Sequence, residues 1–97
     1  GEQPRDFNHV ADVVRANMLA SESKKVGQGE IINIGGGNDV SVNRIAEIIG
    51  GPTAMVEPRL EPRKTLANIT LAKELLNWEP EITLEEGISK LKKLAGI

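Results

Sequence analysis

Residues 3–14 read QPRDFNHVADVV, and residues 32–37 read INIGGG. The first stretch predicts a helix, because Asn8 can cap its start and apolar residues follow at helical spacing to about Ser21. The apolar positions of this helix are Val10, Val13, Val14 and Met18. The second stretch predicts a buried strand over residues 30–34, because it is short, rich in β-formers and stopped by glycines.

A second helix and a second strand are predicted after the glycines. Ser41 can cap the helix, and the Gly-Gly-Pro sequence at residues 50–52 ends it. Its apolar residues are Val42, Ile45, Ala46 and Ile49, which fall on one helical face. Residues 53–57 are then predicted to form the second strand. A strand, a helix and a strand joined by short turns predict parallel strands with a right-handed crossover.

Two more helices are predicted in the last third of the chain. One begins near Asn68 or Thr70 and ends at Asn77, which tolerates the left-handed C-terminal conformation. Its buried residues are expected to be Ile69, Ala72, Leu75 and Leu76. The other begins with a Thr-Leu-Glu-Glu capping box at residues 83–86 and carries an apolar face. The predicted fold class is α/β, with a small two-stranded parallel sheet and about four helices in a single domain over residues 1–97.

Composition excludes several classes of protein. The 97 residues are 39% hydrophobic and 27% charged with a net charge of −2, which fits a globular domain and argues against nucleic-acid or anionic-membrane partners. No apolar run reaches the ~18–20 residues that span a bilayer, and no secretory segment appears, so a cytoplasmic location is expected. Without cysteine and with a single histidine, the chain lacks the ligand set of a zinc site.

The glycine triplet at residues 35–37 is a candidate phosphate loop. It lies between a predicted strand and a predicted helix, and Glu57 follows at the distance of a ribose-binding acid. However, Val40 stands where a third glycine is needed for close helix–strand packing, so a tight connecting turn is the favoured interpretation. The chain also contains no Gly-x-Gly-x-x-Gly and no Gly-x-x-x-x-Gly-Lys sequence. We therefore expect no dinucleotide to bind to these residues.

Arginines are the best candidates for binding an anion. Arg5 stands beside Asp6, which can orient its guanidinium toward a diphosphate. A surface salt bridge is the alternative, and spacing alone favours it. Two prolines predict a loop over residues 58–67, whose basic residues are Arg59, Arg63 and Lys64. His9 has no serine or cysteine at an interpretable spacing and is not expected to act as a general base.

Three motifs resemble those of one family. Residues 3–14 are similar to the pattern Gln-x-Arg-Asp-Phe/Tyr-x-Tyr/His-Val-x-Asp-Val, and residues 32–37 to a strand ending Asn-Ile/Val-Gly-x-Gly. Residues 74–80 are similar to a Glu-Leu-Leu-Gly-Trp-x-Pro corner, where Trp78 is expected to fill the core. The family is that of NAD-dependent nucleotide-sugar epimerases and dehydratases, extended short-chain dehydrogenases/reductases similar to UDP-glucose 4-epimerase. The resemblance covers residues 3–94 and implies the C-terminal, substrate-binding part, with the N-terminal dinucleotide-binding domain absent.

The resemblance implies a substrate-binding site. Arg5 matches the arginine that contacts the diphosphate of the nucleotide sugar. Arg59 begins an Arg-Leu-Glu-Pro loop similar to the one whose arginine binds the same diphosphate from the other side, and Arg63 replaces it if the match is shifted. Both arginines would hold the substrate, and neither would perform chemistry. The family places Tyr or His at the position of His9 for structural reasons.

The resemblance also implies what the intact enzyme needs. Its cofactor is NAD or NADP, its chemistry uses a Tyr-x-x-x-Lys pair, and it is expected to be a homodimer. The chain contains no tyrosine, so it is expected to be inactive alone and to bind no cofactor. In the family, the strand at residues 31–34 joins the sheet of the N-terminal half, so here it should lack a neighbour or pair anew.

Three interpretations of function remain open. The first is a portion of an epimerase, dehydratase or reductase subunit, favoured because residue 1 falls within a family motif, as a cut would leave it. The second is a free-standing module that binds nucleotide sugars. The third is an interaction domain that docks on a separate dinucleotide-binding chain. The motifs fit several sugars and all three reaction types.

Overall fold

The computed structural model describes all 97 residues as an α/β fold with four helices and one small sheet. The strands are β1 (Pro4–Arg5) and β2 (Val40–Ser41), and the helices are α1 (Val10–Glu22), α2 (Val42–Ile49), α3 (Thr70–Leu76) and α4 (Leu84–Ala95). The predicted α/β class and the four helices are confirmed. None of the helices has the length and apolar character that crossing a membrane requires.

The sheet differs from the predicted one. β1 and β2 pair antiparallel, with Pro4 opposite Ser41 and Arg5 opposite Val40, so the prediction of parallel strands is wrong. Neither residues 30–34 nor residues 53–57 form a strand. A β-rich run becomes a strand only where another backbone pairs with it, and the chain supplies no partner to either segment.

Residues 30–34 nevertheless contribute to the core through alternate side chains. Ile32 and Ile34 are partly buried against the main hydrophobic cluster, whereas Ile31 is 86% exposed. This alternation is typical of a chain that presents one face to a core and the other to solvent. The single sheet of the chain consists of β1 and β2 and does not include this segment.

Capping residues set the ends of the helices, largely where the sequence predicts. Ser41 Oγ accepts a hydrogen bond from Arg44 N at 3.1 Å, and Thr83 Oγ1 accepts one from Glu86 N at 3.2 Å. Asn77 ends α3 in the left-handed conformation, with φ 52° and ψ 37°. At α1 the cap is not Asn8 but the next residue, His9, whose Nδ1 accepts from Ala11 N at 3.1 Å.

The core lies between α1, α3 and the corner that follows α3. Trp78 is fully buried there, and its indole N–H donates to the Asp12 carbonyl at 3.0 Å, so its predicted packing role is confirmed. The five buried members of the cluster are Ala16, Ile69, Ala72, Leu76 and Trp78. On α1 the buried positions are Asp12 and Ala16, while Val10, Val14 and Met18 are between 51% and 68% exposed. Three of the four apolar residues that predicted α1 therefore face outward, and Val13 is partly buried.

A second helical pair packs beside this core. α2 contacts α4, and an apolar cavity of about 340 Å³ lies along their contact. The side chains from these two helices that line it include Ile45, Ile49, Leu84, Ile88 and Leu91. The predicted apolar face of α4 is thus turned toward α2, although Leu91 is still 58% exposed. Lys92 Nζ also donates to the Ile49 carbonyl at 2.9 Å, which links the two helix ends.

Candidate diphosphate-binding site

Arg5 extends from β1 toward the loop that precedes α3. Its guanidinium donates to the Pro4 carbonyl at 2.8 Å and to the Pro62 carbonyl at 2.5 Å, and it pairs with Glu61 Oε1 at 3.2 Å. The Arg5 side chain is only 18% exposed. These contacts hold the guanidinium in one place and satisfy several of its donors within the chain.

The backbone around Arg5 is tied to the same loop. Gln3 Nε2 donates to Glu61 Oε1 at 2.8 Å, and Thr65 N donates to the Pro4 carbonyl at 3.4 Å. Asp6 N donates to Thr65 Oγ1 at 3.3 Å. Residues 61–65 therefore run beside residues 3–6, and the two segments form the walls of the candidate site.

The Asp6 carboxylate binds backbone N–H groups rather than Arg5. Oδ1 accepts from Gly36 N at 2.6 Å, and Oδ2 accepts from Gly37 N at 3.2 Å and from Ala67 N at 3.0 Å. The sequence suggested that Asp6 orients the Arg5 guanidinium directly, but Arg5 pairs with Glu61 instead. Three N–H donors replace the water that an exposed carboxylate would bind.

The glycine triplet is the connecting turn that the sequence favoured. A Cβ built on Gly36 would lie 2.8 Å from both Asp6 Oδ1 and the Phe7 carbonyl, so only glycine fits without displacement. Gly37 has φ +77°, in the left-handed region. The N–H groups of Gly36 and Gly37, which would cradle a phosphate in a dinucleotide loop, are already bound to Asp6. These residues do not fit the pyrophosphate of NAD.

The second predicted phosphate ligand lies in an irregular segment. Residues 50–69 contain no helix or strand, which agrees with the loop predicted over residues 58–67. Arg59 and Arg63 are both exposed and take part in none of the ion pairs of the chain. The structure thus brings the loop of Arg59 to Arg5 through Glu61 and Pro62, but it gives Arg59 itself no contact with Arg5.

His9 is occupied by structural contacts. Its Nδ1 caps α1, and its ring packs near Gly87, where an added Cβ would lie 3.1 Å from His9 Cδ2. No group of three or more His, Cys, Asp or Glu residues is placed to hold a metal ion. The groups that this site brings together are the Arg5 guanidinium, the Glu61 carboxylate and the Pro62 carbonyl.

A second aspartate has a role that the sequence analysis did not predict. Asp12 is 2% exposed, and its carboxylate accepts from Glu81 N at 3.2 Å and from Ile82 N at 3.1 Å. Arg15 reaches the same carboxylate at 3.4 Å. Asp12 thereby joins α1 to the segment before α4. One feature of the sequence could have indicated this role. Asp12 lies on the helical face opposite the apolar stripe, one turn from the small residue Ala16 on that face.

Comparison with known families identifies the class of protein. A family described as GDP-mannose 4,6 dehydratase matches residues 1–91. The chain belongs to this family of nucleotide-sugar epimerases and dehydratases, which are extended short-chain dehydrogenases/reductases. The family expected from the motifs is confirmed.

Individual relatives of the chain are epimerases. UDP-glucuronate 4-epimerase of Thermodesulfobacterium geofontis is 42% identical over 98 residues, which cover 93% of this chain and 29% of the relative. An epimerase structure from Methanothermobacter thermautotrophicus superposes with a TM-score of 0.88 and 31% identity, covering 96% of this chain and 30% of that one. UDP-glucuronic acid 4-epimerase of Bacillus cereus, in complex with UDP-glucuronic acid and NAD, gives a TM-score of 0.80 and 34% identity over 97% of this chain and 33% of that one. The chain therefore spans about a third of the length of these relatives.

Proposed function

We propose that this chain is the diphosphate-binding portion of a nucleotide-sugar epimerase similar to UDP-glucose 4-epimerase, and that Arg5 is its main phosphate ligand. The observation that carries the proposal is the Arg5 guanidinium, which is held at 18% exposure with the carboxylate of Glu61 at 3.2 Å. A diphosphate carries more charge than a carboxylate and offers the same fork of oxygens to a guanidinium. It would replace Glu61 on Arg5.

The loop that carries Arg59 provides the other wall of the proposed site. Arg59 stands two positions before Glu61, is exposed and takes part in none of the ion pairs of the chain. Two charge-assisted bonds to one diphosphate would each contribute roughly 1.5–3 kcal/mol, which is enough to retain a substrate while its sugar moves. Arg63 is the alternative second ligand.

Catalysis is assigned to the remainder of a longer polypeptide. The chain has no tyrosine, and the N–H groups of its glycine turn are bound to Asp6, so we propose that it binds no dinucleotide and is inactive alone. NAD, where bound to the intact enzyme, would accept and return the hydride of the sugar. The role of this chain is to bind and orient the diphosphate. The intact enzyme is proposed to be a homodimer.

A docking role is the second candidate, and one observation favours it. Val10, Val14 and Met18 form an exposed apolar stripe along α1, and Ile31 is also exposed. An apolar stripe of this kind is characteristic of a surface that another polypeptide covers. A dinucleotide-binding polypeptide would be the partner. This role is compatible with diphosphate binding, because Arg5 is not part of the stripe.

Titration calorimetry on the 97-residue chain tests the proposal. UDP-glucose and UDP are expected to bind, and NAD is not. Arg5→Ala should weaken UDP binding by about tenfold or more, which corresponds to the loss of one charge-assisted interaction. Arg44→Ala is the matched control, because Arg44 lies on α2 and pairs with Glu47 and Glu85 instead.

The outcomes separate the assignments. Absence of UDP binding to the unsubstituted chain, or equal UDP affinity in Arg5→Ala, would overturn the proposal. Arg59→Ala and Arg63→Ala variants, measured in parallel, identify the second ligand. Only replacement of the arginine that contacts the diphosphate should lower the affinity for UDP. A micromolar dissociation constant for NAD would contradict the assignment of cofactor binding to another part of the enzyme.

A further inference from the structure

Asp6 connects three segments of the site through its carboxylate. It lies directly after Arg5, and its oxygens accept hydrogen bonds from the backbone N–H groups of Gly36, Gly37 and Ala67. Gly36 and Gly37 belong to the turn before β2. Ala67 lies near the end of the irregular segment that carries Arg59. One side chain therefore fixes the chain on both sides of Arg5.

The guanidinium of Arg5 depends on the same connections. β1 is only two residues long, so its position comes mainly from pairing with β2 and from contacts with residues 61–67. The contact of Arg5 with the Pro62 carbonyl requires that the loop stay beside β1. The Asp6 bond to Ala67 N, at 3.0 Å, and the Thr65 bonds to Asp6 N and the Pro4 carbonyl hold it there.

Given the proposed function, we infer that Asp6 is a positioning residue for diphosphate binding. Its carboxylate sets the separation between Arg5 and the loop of Arg59, so that both guanidiniums can reach one ligand. The side chain does not touch the ligand. Asp6 acts through the backbone groups of Gly36, Gly37 and Ala67.

The sign of the effect distinguishes positioning from electrostatics. A carboxylate beside an anionic ligand repels it, so removing the negative charge of Asp6 should strengthen diphosphate binding if charge were its only influence. Positioning predicts the opposite, since an asparagine can retain one acceptor but presents an amide N–H₂ to the remaining N–H donors. Asp6→Asn should therefore weaken binding of UDP.

UDP affinity is to be measured for Asp6→Asn, Arg5→Ala and the double variant, at a temperature where circular dichroism shows each to be folded. Asp12→Asn is the matched control, because Asp12 also accepts backbone N–H groups but lies in the core away from Arg5. Asp6→Asn should lose about tenfold in affinity, Asp12→Asn less than about twofold, and the double variant no more than Arg5→Ala alone. Stronger UDP binding by Asp6→Asn, or additive losses in the double variant, would overturn the positioning role.

A measurement without ligand separates this role from the proposed function. Nuclear Overhauser effects between the Arg5 side chain and Pro62 should be present in the unsubstituted chain and in Asp12→Asn, and lost in Asp6→Asn. Their retention in Asp6→Asn would show that Asp6 does not position Arg5, even if UDP binds. Their loss together with an absence of UDP binding to the unsubstituted chain would support positioning by Asp6 and reject the diphosphate as the ligand.

Discussion

Arg5 and Arg59 are candidates for the same ligand, yet the segments that carry them are held very differently. Arg5 lies on β1, is 18% exposed and contacts Glu61 and Pro62. Arg59 lies in a segment where every residue from 51 to 66 is exposed. A side chain already held in place loses less conformational entropy on binding than one that must first be ordered. Arg5 is therefore the preorganised half of the proposed site.

The difference arises from a side-chain carboxylate that accepts backbone hydrogen bonds rather than from hydrophobic burial. Residues 3–6 contain no side chain of the main core cluster, but Asp6 supplies an acceptor for three N–H groups. In the segment 51–66, Met55 and Val56 are at least 80% exposed, and Leu60 is fully exposed. A short strand can thus be held by one well-placed carboxylate, whereas in the exposed segment the hydrogen bonds and ion pairs are confined to residues 61–65 and none involves residues 51–60.

Asp6→Ala is expected to have the largest effect on the difference between the segments that carry Arg5 and Arg59. The substitution leaves the N–H groups of Gly36, Gly37 and Ala67 without their acceptor, and unfolding free energy should fall by about 2–4 kcal/mol. Urea denaturation followed by circular dichroism measures it. Asp39→Ala is the control, because Asp39 pairs only with Lys64, at 3.3 Å, and its loss should change stability by less than about 1 kcal/mol. Equal losses in the two variants would contradict the role given to Asp6.

The next effect is expected from Gly36→Ala. The added Cβ would lie 2.8 Å from Asp6 Oδ1 and from the Phe7 carbonyl, so the turn must move away from the carboxylate. The expected loss is about 1–3 kcal/mol of stability, the range for overpacked sites. Thermal unfolding measures it, with Thr53→Ala as a control in the exposed segment. An unchanged melting temperature for Gly36→Ala would show that the turn can shift without strain.

A pair of leucines tests how little the exposed segment contributes. Leu60 is 106% exposed, and Leu60→Ala should change stability by less than about 0.5 kcal/mol. Leu76, at 7% exposed, is the matched position in the core, where the same change should remove about 2–4 kcal/mol. Chemical denaturation of both variants gives the two values. A large loss for Leu60→Ala would mean that the segment packs on a surface in solution.

The smallest effect is expected at Glu30, in an exposed turn that a carboxylate also organises. Its pKa is lowered below the ordinary value of 4.5, chiefly by hydrogen bonds from backbone N–H groups, of which that of Gly27 contributes most. A carboxyl group with a lower pKa in the folded state contributes stability above its unfolded pKa and loses it as pH falls through the folded pKa. Carbon-13 detected titration should find the lowered value. Glu30→Gln should abolish that part of the acid dependence, and a pKa at or above 4.5 would contradict the turn geometry.

Local signals in the sequence predicted the helices well. The caps Ser41 and Thr83 and the left-handed Asn77 depend on residues within one turn, so the sequence contains what determines them. The resemblance to the epimerase family likewise placed the chain correctly, because its motifs occur in the family order.

Contacts between distant segments were not predicted. The pairing of β1 with β2 joins residues 4–5 to residues 40–41, and no periodicity reveals it. Asp6 and Asp12 each accept hydrogen bonds from backbone groups far along the chain. The residues next to each aspartate in the sequence do not indicate these contacts. The orientation of α1 was not predicted for a related reason. Periodicity shows that one face of a helix is apolar but not which surface covers that face. Arg59 and Arg63 stay predicted ligands.

Trp78 makes the main core the only part of the chain that can be followed by tryptophan emission. It is the sole tryptophan, and no tyrosine accompanies it. The centroid of its buried ring lies 5.6 Å from the Arg15 guanidinium carbon. Fluorescence will therefore report the separation of α1 from α3 and will be insensitive to ordering of residues 51–66. A ligand that orders Arg59 against the site would leave the emission spectrum unchanged. It would alter the amide resonances of residues 51–66. Agreement between the two spectroscopies would then mark global unfolding, and disagreement would mark a local event at the loop.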